Sequence, residues 1–233
     1  MTRIDNAVAL VTGGSRGIGK ALVQELYARG AAKVYATARD PRTVTHPDAV
    51  PLALEVTDPD SVAAVAAQAK DVTILINNAG SSSGADFLDS PVEDVRRDFE
   101  TNFYGPLYVT RALVPVIEGN GGGHLLNVHS VLSWLGTADS YSASKAAIWS
   151  QTNSLRLRLQ PRGIGVTGLH VAYVDTDLTA AIDAPKSSPE AVAALALDGI
   201  EADAYEVLAD DVTRQVKSAL SQDLAVLYPH LAR

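Results

Sequence analysis

Tyr141 stands four residues before Lys145 in the stretch DSYSASKAAIWS, residues 139–150, with only small side chains between them. Positions i and i+4 of a helix share a face, so the phenol and the ammonium would end in one space. A free phenol titrates at about pH 10, but a fixed cation nearby favours the phenolate and makes it a usable acid or base. The plain alternative is an amphipathic helix with a solvated rim. A second stretch, TGGSRGIG at residues 12–19, offers different chemistry. Glycines there let the backbone turn sharply, and the free N–H groups of a following helix favour a phosphate. The spacing of Gly13, Gly17 and Gly19 is Gly-x-x-x-Gly-x-Gly rather than Gly-x-Gly-x-x-Gly, and a merely tight connection would read the same way.

Elements that could hold such groups alternate along the chain. Short apolar runs at residues 7–12, 33–37, 51–56, 72–77, 124–128 and 165–171 lack strict alternation, the pattern of strands covered on both faces. A seventh strand is expected at 205–209, followed by a helix at 210–220. Asp58-Pro59 opens one helix, and Ser90-Pro91-x-Glu93 has capping-box spacing at the start of a long helical stretch towards Glu118. Strand and helix at this rhythm predict a single-domain α/β fold over residues 1–233, a doubly wound parallel sheet with helices on both faces.

Composition narrows the function. A net charge of −8 argues against a nucleic-acid surface. The absence of cysteine excludes disulfides, thiolate catalysis and thiolate-bound metal, and it fits a reducing compartment. No metal site is read. No apolar run approaches the ~18 residues of a membrane span, and the start resembles a first strand more than a signal peptide, so a cytoplasmic protein is expected.

The segments TGGSRGIG, NNAG (77–80), Asn102 in TNFYG, Ser130 and YSASK occur in an order and approximate spacing that resembles the short-chain dehydrogenase/reductase family, from about Ala7 to Asp177. The resemblance implies a Rossmann-type sheet of about seven strands, a nicotinamide dinucleotide, and hydride transfer between its C4 and an alcohol or carbonyl carbon. It implies that Tyr141 is the proton donor, that Lys145 tunes it and holds the nicotinamide ribose, and that Ser130 bonds the substrate oxygen. Ser130 stands eleven residues before Tyr141, slightly closer than is usual in the family, which keeps Ser133 as a substitute. His129 is read as structural or pocket-lining. Asn102 is implied to hold a relay water through its backbone. Pro106 has no N–H, so the normal bond to the Asn102 carbonyl cannot form, and Gly105 eases a kink.

For the cofactor, the resemblance points to Gly13, Ser15, Arg16, Gly17, Ile18 and Gly19, then Arg39, Glu55, Val56, Asn78, Ala79 and Gly80, then Tyr141, Lys145, Val174 and Thr176, with Asn77 in the adenosine wall. NAD-preferring enzymes carry an acid at the end of the second strand; here Ala38 and Arg39 follow one another and Arg16 lies in the turn. Two guanidiniums suit a 2′-phosphate, so NADP(H) is expected over NAD(H), with Asp40 as the contrary signal. Ser81, Leu132, Ser133, Trp134 and Tyr173 are expected to line a substrate pocket, and residues 175–189 to form a lid within the domain. The expected partners are a small carbonyl or alcohol substrate and a second copy of the chain, a dimer rather than a tetramer, with neither nucleic acid nor membrane. A catalytically idle dinucleotide-binding regulator is the alternative reading, and a Rossmann methyltransferase would need neither Tyr141 nor Lys145.

Overall fold

Strand β1 (Val8–Val11) is the axis of the molecule, with β2 (Lys33–Ala38) on one side and β4 (Ile74–Asn77) on the other. The structure, a computed structural model, describes residues 2–231; residues 1, 232 and 233 of the expected 1–233 domain lie outside it. The sheet has seven strands, all parallel, and adds β3 (Val50–Ala53), β5 (Gly123–Val128), β6 (Ile164–His170) and β7 (Glu206–Leu208) in the order β3-β2-β1-β4-β5-β6-β7. Side chains alternate across each strand. Ala9 and Val11 therefore join one core with Leu22 and Leu26 of α1 (Gly17–Ala28) and Leu197 of α6 (Pro189–Glu201). Leu10 and Leu75 face the other core with Val62 and Val65 of α2 (Pro59–Gln68), Leu113 of α4 (Gly105–Gly119) and Leu159 of α5 (Asp139–Leu159). Both faces of the sheet are covered, which is why its strands read as continuous apolar runs.

The helix starts were partly legible. Asp58 caps α2, its carboxylate accepting from the Asp60 N–H at 3.0 Å. The capping box expected at Ser90 does not form: its hydroxyl turns back to accept from the Asp86 N–H at 3.0 Å, and Pro91 takes the cap position of α3 (Val92–Phe99). The stretch from Ser90 towards Glu118 is interrupted by a π-helical turn at Glu100–Tyr104, where the Gly105 N–H reaches back to the Glu100 carbonyl. Pro106 cannot donate to Asn102, and the widened turn absorbs the mismatch. Gly105 is there for closeness as much as for bending, because a Cβ would stand 2.9 Å from Val56 Cγ2. Helix α7 (Asp211–Ala219), a short α8 (Leu224–Leu227) and a 3-10 turn at Pro229–Leu231 follow β7.

Candidate active site

At the carboxyl ends of β1, β4, β5 and β6 lies a cavity of about 1510 Å³. The first turn of α1 opens onto it, and no side chain caps that helix. Its unsatisfied N–H groups and dipole suit an anion. The turn is packed to backbone contact: a Cβ on Gly19 would collide with the Gly13 carbonyl and with Asn78 Nδ2. Asn78 in turn donates to the carbonyls of Thr12 at 2.8 Å and Gly13 at 3.1 Å, and the Thr12 hydroxyl accepts from the N–H groups of Asn78 and Ala79, both at 3.0 Å. The Gly-rich turn and the NNAG turn are thus one hydrogen-bonded body.

All sixteen residues expected around the cofactor, from Gly13 to Thr176, line this cavity. Asn77 does not. It is buried at the end of β4 and donates to Thr110 and Asn127. Arg39 is exposed at the cavity edge. Arg16, also exposed, pairs with Asp177 at 2.7 Å. Asp40, the contrary signal for NADP(H), is engaged locally: Arg42 grips its carboxylate at 2.9 and 2.8 Å, and the Arg42 N–H adds a third bond at 3.0 Å. Those bonds hold the Asp40 carboxyl below its ordinary range. Glu55 turns its carboxylate towards Thr57, whose hydroxyl donates at 2.9 Å.

Ser130, Tyr141 and Lys145 meet at the far end of the cavity. Ser130 ends β5 and caps a 3-10 turn at Val131–Ser133, accepting from the Leu132 N–H at 3.1 Å. Its hydroxyl neighbours the Tyr141 phenol. Ser133 lies outside the cavity and accepts from the Ser130 N–H at 3.3 Å. Tyr141 and Lys145 are one turn apart on α5, with Lys145 Nζ 5.7 Å from the phenol ring centroid. Burial pushes the Tyr141 phenol up to about 12; the Ser130 hydroxyl draws it down and the charge of Asp98 pushes it further up. Burial also pulls the Lys145 ammonium down to about 8. The sequence led us to expect a phenol lowered by its lysine; desolvation dominates instead.

Asn102 sits in the π-helical turn and is 1% exposed. Its side chain accepts from the Ser81 N–H at 3.0 Å and donates to the Ser81 carbonyl at 2.8 Å and the Ser144 hydroxyl at 3.0 Å. A Cβ on Gly80 would lie 3.2 Å from Asn102 Oδ1 and 3.6 Å from Lys145 Nζ, so the three residues converge behind the cavity wall.

The expected substrate pocket needs correction. Ser81 lines the cavity, whereas Leu132, Ser133, Trp134 and Tyr173 do not. Trp134 stacks on His170 at 4.1 Å and lies under Lys217, drawn into an aromatic cluster behind the β5–α5 turn. His129 lines the cavity and is also tied into the structure: it is 2% exposed, its Nδ1 lies 3.1 Å from His170 Nε2, and burial keeps its imidazole well below the ordinary range. The sequence reading missed Asp98, a fully buried carboxylate four residues before Asn102. The i, i+4 spacing that singled out Tyr141 and Lys145 also puts these two on one helical face.

A family profile described as short chain dehydrogenase matches residues 7–187. An NADPH-dependent 1-acyldihydroxyacetone phosphate reductase of Schizosaccharomyces pombe is 36% identical over 180 residues, 72% of this chain and 60% of that protein. The chain thus spans less than two thirds of that relative. The 3-oxoacyl-acyl-carrier-protein reductase FabG of Vibrio cholerae is 32% identical over 77% of this chain and 78% of its own. Among solved structures, a short chain dehydrogenase from Burkholderia cenocepacia in complex with NADP superimposes with a TM-score of 0.92 at 33% identity, covering 99% of this chain and all of the other. With the profile spanning the nucleotide turn, the Tyr141 helix and the loop after β6, the chain belongs to the short-chain dehydrogenase family of oxidoreductases, which bind a nicotinamide dinucleotide.

Proposed function

We propose that the protein is an NADP(H)-dependent carbonyl reductase, interconverting a ketone or aldehyde and a secondary or primary alcohol, with Tyr141 as the general acid and base. One observation carries the reading: Ser130, Tyr141 and Lys145 meet in the same cavity that receives the uncapped N-terminus of α1 and is edged by Arg16 and Arg39. The residues fit the dinucleotide. The Gly13–Gly19 turn offers backbone N–H groups to a pyrophosphate, and the two guanidiniums offer charge to a 2′-phosphate. Gly80, Lys145, Val174 and Thr176 would surround the nicotinamide half. Bound there, the nicotinamide supplies or accepts the hydride.

The chain's own part is proton handling and orientation. Ser130 bonds the carbonyl oxygen and offsets its growing negative charge. Tyr141, kept protonated by its buried setting, gives that oxygen a proton as hydride arrives at the carbon, and takes it back in the reverse direction. Lys145 supplies the positive charge that steadies the phenolate left behind, and Asn102 holds the Ser81 backbone and Ser144 beside it.

Related proteins support the cofactor and the direction. The yeast relative is named as NADPH-dependent and both named relatives as reductases, and the Burkholderia structure holds NADP. A lid at 175–189 belongs to the same proposal, supported by the Arg16–Asp177 pair and the bridge between Val174 and Ser187. So does a homodimer through the helices carrying Asn102 and Tyr141, supported by Leu157, 78% exposed on α5. No helix among the described residues is long and apolar enough to cross a membrane; a cytoplasmic location is part of the same proposal. A panel of aldehydes and ketones with purified protein, followed by NADPH and then NADH absorbance, tests the proposal. Oxidation of NADPH by at least one carbonyl is expected; silence across the panel, with NADPH shown to bind, would favour the idle regulator.

A further inference from the structure

Asp98 is 0% exposed, and none of the ion pairs among the described residues includes it; its neighbour Arg97 pairs with Asp94 instead. A carboxylate buried without a cation is costly unless its oxygens are fully hydrogen-bonded. Here they are. Oδ1 accepts from the Ser83 N–H at 2.7 Å, and Oδ2 accepts from the Ser83 hydroxyl at 2.9 Å and the Ser140 hydroxyl at 2.6 Å. Ser83 belongs to the loop leaving β4, and Ser140 immediately precedes Tyr141.

The neighbouring hydrogen bonds give that carboxylate a wider setting. Asn102 holds Ser81 through both backbone groups, Asp98 holds Ser83, and Ser140 reaches the Ala85 carbonyl at 3.1 Å. Alternate residues of one extended loop are thus fastened by the π-helical turn, α3 and the first turn of α5 in succession. Ser81 is where this loop meets the cavity. Beyond the last rung the chain is exposed at Phe87 and Leu88.

We propose that Asp98 is a positioning residue of the site, a buried latch by which α3 fixes the Ser81–Ala85 loop as the substrate-side wall beside Tyr141. This rests on the reductase reading given above. The latch also puts a negative charge near the phenol, and the charge opposes ionisation of Tyr141. The other groups facing the phenol are Lys145 from its own helix and, from the β5–α5 turn, the neutral hydroxyl of Ser130; the His129 imidazole behind that turn is kept neutral by burial. Asp98 therefore adds to burial in favouring the acid form of Tyr141.

Two near-isosteric changes separate the latch from its charge. Asp98→Asn keeps the shape, loses the charge and leaves one acceptor oxygen for three donors; Ser83→Ala removes one rung and keeps the charge. In Asp98→Asn, amide hydrogen exchange at residues 81–86 should accelerate about tenfold or more, on the scale of a lost charged hydrogen bond. The KM for an accepted carbonyl should rise while the NADPH Kd stays put. The pH profile of alcohol oxidation should move to lower pH, since removing a like charge lowers the phenol pKa. Ser83→Ala should speed the loop's exchange without moving that profile. Unchanged loop exchange in folded Asp98→Asn, or in Ser83→Ala should the first variant not fold, overturns the latch whether or not the protein turns over any carbonyl. Faster exchange together with an inert wild type upholds the latch and sinks the reductase reading alone.

Discussion

Lys145 Nζ donates to the Val128 carbonyl at 3.0 Å, which ties the ammonium to the end of β5 while it faces the Tyr141 ring. The lysine thus spans from the helix carrying the phenol to the strand that leads into Ser130. Its placement is fixed from both sides of the cavity, and it makes the first prediction a paired one.

Tyr141→Phe removes a hydroxyl from a ring that still packs, so NADPH binding should persist while carbonyl reduction falls by about 10²–10⁴-fold, the range of a lost acid catalyst. Lys145→Ala should weaken both binding and turnover. Titration of NADPH fluorescence and single-turnover kinetics check the pair; near-normal turnover in Tyr141→Phe, with a deuteride isotope effect showing that chemistry limits the rate, would refute the mechanism.

Replacing Arg16 and Arg39 together with Ala should weaken NADPH by about 1.5–3 kcal/mol for each charged hydrogen bond to the 2′-phosphate that is removed, and leave NADH nearly unchanged. The Arg16–Asp177 pair is no obstacle, because both side chains are more than 70% exposed and such pairs contribute only about 0–1 kcal/mol. Parallel titrations of the two cofactors measure the difference, and equal losses would remove the 2′-phosphate assignment.

Ser130→Ala should cut turnover by about 10²-fold at saturating NADPH, on the scale of one oxyanion-type donor. Ser133→Ala removes only the acceptor of the Ser130 N–H, so its effect should be a few-fold at most. Comparison of the two kcat values decides, and a reversed ranking would move the bond to the carbonyl oxygen to Ser133.

Acid should destabilise the protein through His124. Its ring is fully buried on β5, with Nε2 2.8 Å from the Thr167 hydroxyl, and burial pulls its pKa down to about 4. The folded value lies below the unfolded value of about 6.5, so the unfolded chain binds the extra proton first. The neutral ring is fully compatible with folding above about pH 6.5, and up to about 3 kcal/mol is lost as pH falls from there to about 4. Urea unfolding at a series of pH values should show this slope in wild type and a shallower one in His124→Asn.

What the sequence disclosed, and what it hid, follow from the range of the interactions. The seven strands were legible because burial on both faces forces runs such as the one ending at Val11, a local signal that needs no knowledge of partners. The convergence of Tyr141 and Lys145 on one cavity was legible because one turn of one helix carries both. Trp134 misled because nothing in its own segment reveals that His170 and Lys217, from β6 and α7, compete for its faces. Ser90 misled in the same way, since the Asp86 N–H draws its hydroxyl away from its own helix. Asp98 escaped notice because a carboxylate in VEDVRRDFETNF looks like one more solvated charge until the loop at Ser83 closes over it.

The junction of β1 with β4 has a kinetic meaning. Three residue pairs join these strands, from Ala9 with Ile74 to Val11 with Ile76, and everything between them in the chain must first be passed over. Every other ladder in the sheet is also parallel, so no hairpin offers an easy local start. Such a topology folds slowly, because the entropy of closing long loops is lost before the pairings that compensate for it are made. The nucleotide turn follows one strand of this junction and the NNAG turn the other, so the site takes shape only when the two halves of the sheet have found each other. For a nascent chain, affinity for the cofactor then arrives late and abruptly, and dinucleotide supplied during refolding acts on the last step, after the slow search is over.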